Sequence, residues 1–260
     1  MIIDAHTHAG KGITDCCRPV SLLLSSMKAA GISKSLVIEG FEDETGYSKQ
    51  EMIDVISAHK NLLLSGTFDM MRGTAKDIKS LDSNLKKGNY AAIKLYPGYQ
   101  RFYPSEKRCD KIYNLCVKHG VPVVFHTGDV WDTEKTALVK YSMPIHLDEV
   151  AVKFPKLKIV MAHLGTPFFS QAMEVLYKNQ NVYADLSGFL VDPDDKRCHD
   201  FFAREINDVI SYALADRMMF GSDFGLADQS ICVKFMKKLD IPKKTLPLVM
   251  HKNAEALYGF

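Results

Sequence analysis

Short apolar runs recur along the chain at a regular interval. From the start they are MIIDAHTH, KSLVIEG, LLLSGTFDM, YAAIKLYP, VPVVFHTG, LKIVMAHLG, NVYADLSG and RMMFGSDFG. Their β-branched and aromatic content, bounded by Gly, Asn and Pro, predicts eight β-strands. Successive runs begin roughly 24 to 36 residues apart, room for a strand, a loop, a helix and a return loop. Between them, RPVSLLLSSMKAAG carries Pro near its start and Gly just past its end, the usual order of helix signals. EMIDVISAHKN, RCDKIYNLCVKHG and HLDEVAVKFP place apolar residues at helical spacing, and the second also stops at Gly. Eight strands alternating with helices predict an α/β fold, a single (β/α)8 TIM barrel. A doubly wound open sheet is the competing arrangement. No linker-like or low-complexity segment interrupts residues 1–260, so one domain is expected.

Composition narrows the partners. The chain is 47% hydrophobic and 25% charged, as for a globular protein, and its net charge of +2 leaves no basic surplus to hold a phosphate backbone. Nucleic acid and membrane are therefore not expected partners, and a small-molecule substrate is; a homo-oligomer is compatible with the fold. No basic, apolar leader is read at the start, and no apolar run is long enough to span a bilayer. The six cysteines form no C-x-x-C pair and read as reduced thiols, with the cytoplasm as the expected compartment. Cys16 and Cys17, with no histidine at ligand spacing, read as unreactive.

The candidate chemistry lies at the strand ends. His6 and His8 stand two apart on the first strand, so their imidazoles share a face, as two ligands of one ion would. A solvent-facing polar strand end is the plainer alternative. In (β/α)8 barrels the active site forms at the C-terminal ends of the strands. There the chain places Lys94 on strand four, His126 on strand five, His163 on strand six and Asp223 on strand eight. Four of its nine histidines thus fall at strand ends, a pattern suited to a divalent metal site. Each residue also has a simpler use: His126 and His163 as buried core histidines, and Asp223 as a helix N-cap. Asp4, on the face of His6 and His8, reads as an acceptor for a ligand imidazole's second N–H or as a polar filler of the barrel layer.

The motifs DAHTH, FHTGD, MAHLG and FGSDFG, in this order on strands one, five, six and eight, resemble the amidohydrolase superfamily. The segment MPIHLDEVAVKFPKLKIVMAHLG and the ending HKNAEALYGF resemble its aminocarboxymuconate-semialdehyde decarboxylase-like branch. The resemblance implies a barrel holding one or two divalent ions, commonly zinc, with His6, His8, His126 and Asp223 as ligands. It makes Asp223 the residue that orients a water and takes its proton, and His163 a catalytic residue or, in two-metal members, a ligand of the second ion. Lys94 departs from the branch: many two-metal members carbamylate a strand-four lysine, whereas decarboxylase-like members lack that bridge. An unmodified Lys94 pairing with Asp223 or an anionic substrate, and one ion per chain, are expected. Tyr96 shares the face of Lys94 and is the expected substrate contact, with Trp131 and Lys140 in the next loop as further candidates.

The function implied is hydrolysis of a small ester, lactone or amide, with non-oxidative decarboxylation of a small unsaturated or aromatic acid as the alternative. A TatD-like nuclease also opens on HxH but prefers a strand-four glutamate where this chain has Lys94. A catalytically silent metal-binding barrel is the remaining reading.

Overall fold

The computed structural model describes residues 1–130, 136–190, 192, 194–212 and 214–260. In chain order the elements are β1 (Ile3–His8), α1 (Val20–Ala30), β2 (Lys34–Ile38), α2 (Glu42–Thr45), α3 (Lys49–Ser57), β3 (Leu62–Thr67), α4 (Ala75–Lys86) and β4 (Ala92–Leu95). There follow α5 (Asp110–His119), β5 (Val123–Phe125), α6 (His146–Lys153), β6 (Ile159–Met161), α7 (Phe169–Lys178), β7 (Val182–Leu186), α8 (Lys196–Ser211), β8 (Met218–Phe220), α9 (Gln229–Met236) and α10 (Asn253–Tyr258). The strands neighbour one another in the order β1 to β8 with helices between, the (β/α)8 barrel class expected from the apolar runs. Each predicted run contains one strand.

Local signals set the helix ends. Pro19 precedes α1 and Gly31 closes it at φ 72°; Gly120 closes α5 at φ 71°. Both glycines occupy the left-handed C-cap that a side chain resists. Ser48 with Glu51 and Thr74 with Asp77 form capping boxes at the starts of α3 and α4.

The chain divides into two compact units, Met1–Ser65 with Asp185–Phe260, and Gly66–Ala184. In the first, β1 pairs with β2, and β2 with β3, all parallel. The β1–β2 register shifts between Asp4 and Thr7. Backbone bonds His8 N–H to Phe224 O (2.9 Å) and Asp223 N–H to His6 O (2.8 Å) tie the end of β1 to the segment after β8. In the second unit β4, β5, β6 and β7 pair in sequence, with Phe125 opposite both Leu95 and Met161. Strands buried on both faces need continuous apolar runs. Leu36, Val37 and Ile38 are all fully buried, each such side chain stabilising the fold by roughly 1.5–3 kcal/mol.

Candidate metal centre and its surroundings

In the first unit, β1 delivers His6 and His8 with ring centroids 5.4 Å apart. Asp223, three residues past β8, adopts φ 64°. Among the described residues only His163, Leu164 and Asp223 hold positive φ without being glycine. Such backbone costs of order 1 kcal/mol or more, and persists where surrounding contacts impose it, often at functional sites. Two of the three are residues singled out from the strand-end pattern.

Asp223 Oδ1 lies 3.2 Å from His8 Nε2 and 3.8 Å from His6 Nε2. A tetrahedral ion with bonds of about 2.0–2.2 Å separates its ligand atoms by about 3.3–3.6 Å; the two histidine–carboxylate separations lie near that range, and all three atoms fall within 4.8 Å of one another. His6 is fully buried and Asp223 is 4% exposed, so the charge of a carboxylate here would meet little water. The donor set of two neutral imidazoles and one carboxylate suits zinc or a similar divalent cation.

The residues behind the ligands differ from the sequence expectation for Asp4. Its carboxylate accepts from Ser222 N–H (2.9 Å), Ser222 Oγ (2.6 Å), Gln229 Nε2 (2.8 Å) and the backbone N–H of His6 (3.2 Å). Burial raises its pKa to about 6 against the pull of those bonds. Asp4 thus braces the backbone that carries Asp223. The imidazole partner of His6 is Asp185, on β7: His6 Nδ1 lies 2.9 Å from its Oδ2. The shifted register between Asp4 and Thr7 breaks the strict two-residue alternation that would place Asp4 beside His6. Asp185 could have been suspected from VYADLSG alone, where a carboxylate sits inside an otherwise apolar strand.

The loop after β1 brings two thiols together. Cys16 Sγ and Cys17 Sγ lie 3.8 Å apart, and Thr14 Oγ1 lies 3.4 Å from Cys16 Sγ. The hydrogen bond with Cys17 lowers the Cys16 thiol well below its ordinary range, while the same bond and burial raise that of Cys17. Burial pushes up the thiols of Cys109, Cys116, Cys198 and Cys232. Cys16 is therefore expected to react first with iodoacetamide at neutral pH. Peptide mapping by mass spectrometry after brief labelling checks this, and labelling of Cys198 ahead of Cys16 would contradict it.

The second unit holds the remaining candidates. Lys94 on β4 is 1% exposed, its Nζ 5.2 Å from the centroid of the Tyr96 ring, as the shared strand face predicts. The Tyr99 ring lies 4.8 Å from that of His126, tilted by 57°, and the His126 ring lies 5.2 Å from that of His163. His126 Nε2 donates to Asp129 O at 2.7 Å, which makes Nδ1 the nitrogen carrying the lone pair. His163 and Leu164 stand at φ 60° and 46° in the turn after β6. Thr166 N–H (3.0 Å) and Oγ1 (2.7 Å) both donate to His163 O and hold that turn. Gly128 supports it from below: a Cβ there would sit 2.0 Å from Thr166 O.

The cations of the loops after β4 and β5 have neighbours of their own. Arg101 donates to Thr136 O, Arg108 pairs with Glu106 at 2.7 Å, and Lys140 lies over the Tyr141 ring. Trp131 lies outside the described residues.

The family model described as amidohydrolase matches residues 3–260. The chain belongs to the amidohydrolase family. It is an enzyme of that family. No curated protein matches the sequence. Among solved structures it is similar to an uncharacterized TIM-barrel protein from Bordetella bronchiseptica, at 20% identity and TM-score 0.79, covering 99% of this chain and 98% of that one. A probable 2-pyrone-4,6-dicarboxylic acid hydrolase from Acinetobacter baumannii with citric acid bound is similar at 15% identity and TM-score 0.73, over 100% and 99%. A 5-carboxyvanillate decarboxylase from Novosphingobium aromaticivorans, complexed with manganese and a nitrobenzoic acid, is similar at 14% identity and TM-score 0.73, over 100% and 96%. At these identities the likeness shows the fold. Among the described residues no helix is long and apolar enough to cross a membrane.

Proposed function

We propose that this amidohydrolase-family enzyme is a metal-dependent hydrolase of a small ester, lactone or amide, working as one domain over residues 1–260 in the cytoplasm. The observation that carries the reading is the convergence of His6, His8 and Asp223 at the spacing of ligands on one ion. His126 is proposed as the fourth ligand, on the strength of the family motif FHTGD. A bound divalent cation, zinc in this proposal, supplies Lewis acidity to the reacting centre.

The chain's own groups do the rest. Asp223 orients the attacking water and accepts its proton at a carboxylate oxygen. His163, held in its left-handed turn, donates a proton to the departing group or a hydrogen bond to the developing charge. Lys94 pairs its ammonium with a substrate carboxylate, and Tyr96 walls the same face. Decarboxylation is the second reading, supported by the likeness to the 5-carboxyvanillate decarboxylase. Measuring carbon dioxide release and product mass over a panel of lactones, esters and aromatic acids separates the two. Carbon dioxide without hydrolysis would overturn the first.

One ion per chain is proposed, with Lys94 unmodified. The face of the Tyr96 ring is electron-rich and favours an ammonium 5.2 Å away over a carbamate anion. A free ammonium would also make a second cation nearby electrostatically costly. Metal analysis of protein prepared with and without bicarbonate should give about one equivalent in both. Two equivalents that rise with bicarbonate and fall to one in Lys94→Ala would make the site binuclear.

A further inference from the structure

His6 cannot serve a metal with both ring nitrogens, so something must choose which one faces the ligand cluster. Asp185 on β7 and Ser187, one residue past the strand's end, are polar groups in an otherwise apolar stretch and meet through their side chains. Ser187 Oγ donates to Asp185 Oδ1 at 2.5 Å, while Asp185 Oδ2 lies 2.9 Å from His6 Nδ1. Asp185 and His6 are both fully buried. The approach depends on Gly221 at the end of β8. A Cβ on Gly221 would come within 3.0 Å of Ser187 Cβ, 3.2 Å of His6 Cβ and 3.6 Å of Asp185 Cβ. Three strands therefore meet around this chain of contacts where one of them has given up its side chain.

We propose that Asp185, braced by Ser187, is a positioning residue that holds His6 with its proton on Nδ1 and its Nε2 lone pair toward Asp223, and so sets how tightly the centre holds its divalent ion. The inference rests on the proposed metal centre. A carboxylate is the acceptor that both fixes a ligand imidazole's tautomer and raises its basicity, and loss of such a partner typically weakens metal binding about ten- to a hundredfold. The fold should survive an isosteric change to a neutral amide, because the Ser187 hydroxyl that donates to Asp185 Oδ1 can turn and accept instead, leaving no buried polar group unpaired. Asn has that shape. Its amide oxygen can still accept from Nδ1–H, but the charge is gone.

The test titrates the metal-free protein with zinc against a chromophoric chelator, and records the visible spectrum of the cobalt-loaded protein. Asp185→Asn should weaken zinc binding about ten- to a hundredfold, shift the cobalt bands, and leave the melting temperature of the metal-free protein no lower. Ser187→Ala should weaken binding less, in the same direction. Wild-type affinity and an unshifted spectrum in a folded Asp185→Asn would overturn the proposal. So would a drop in metal-free stability with unchanged affinity, the signature of a purely structural residue. Should Asp185→Asn fail to fold, Ser187→Ala decides, since it keeps the carboxylate; no change in affinity or spectrum overturns the role. His8→Ala serves as the control. If it too binds zinc like the wild type, the metal centre itself is wrong rather than the part assigned to Asp185.

Discussion

Replacing His8 with alanine is expected to strip the divalent ion, leaving metal content near zero by elemental analysis after gel filtration. The reason is the economy of the ligand set. Two imidazoles and one carboxylate converge in the first unit, and His8 Nε2 is the nearer of the two nitrogens to Asp223 Oδ1, at 3.2 Å. Without it, His6 and Asp223 remain there, with the proposed His126 as the one further donor, a set left with two imidazoles where the full centre has three and expected to lose zinc on washing. The stability cost should be small, because the His8 side chain is 17% exposed and packs at a strand end rather than in the core. A melting temperature close to that of the metal-free wild type would separate loss of a ligand from loss of the fold. Retention of a full equivalent would remove His8 from the ligand set.

Replacing His163 with asparagine is expected to leave the metal in place and to lower kcat/KM by ~10²–10⁴, the range of a positioned acid–base group. Asparagine is chosen for the backbone. His163 stands at φ 60°, and of the non-glycine residues Asn and Asp tolerate that region best, so the turn should survive while the imidazole is lost. The rate is read on whichever ester, lactone or acid the wild type turns over, with metal content measured on the same sample. His126→Asn, by contrast, should lose both metal and rate. If His163→Asn lost half of two bound ions, His163 would be a ligand of a second ion instead.

Both substitutions test residues that stand out in the bare chain, and it is instructive why they do. A strand announces itself through a few contiguous residues, and eight apolar runs at barrel spacing leave little freedom in the fold class. The chemistry at strand ends is equally local: HTH, FHTG, AHLG and GSD each place a ligand-type side chain within three residues of a strand. The pairing of Tyr96 with Lys94 is local for the same reason, a two-residue step along a strand.

What the chain by itself determined, then, is the alternation of strands and helices and the identity of His6, His8, His126, His163 and Asp223 as the residues to watch. Tertiary structure decided the partners. Asp185 meets His6 across 179 residues, and Asp4 turns to Ser222 and Gln229, more than 200 residues away, because the β1–β2 register shifts beside it. The left-handed backbone at Asp223 and the lowered thiol of Cys16 likewise come from surrounding contacts, not from the residue types. Periodicity is a property of neighbours along the chain, but hydrogen-bond partners and burial are set by which distant segments the fold packs together. That sum over the whole core is what no short stretch of sequence contains.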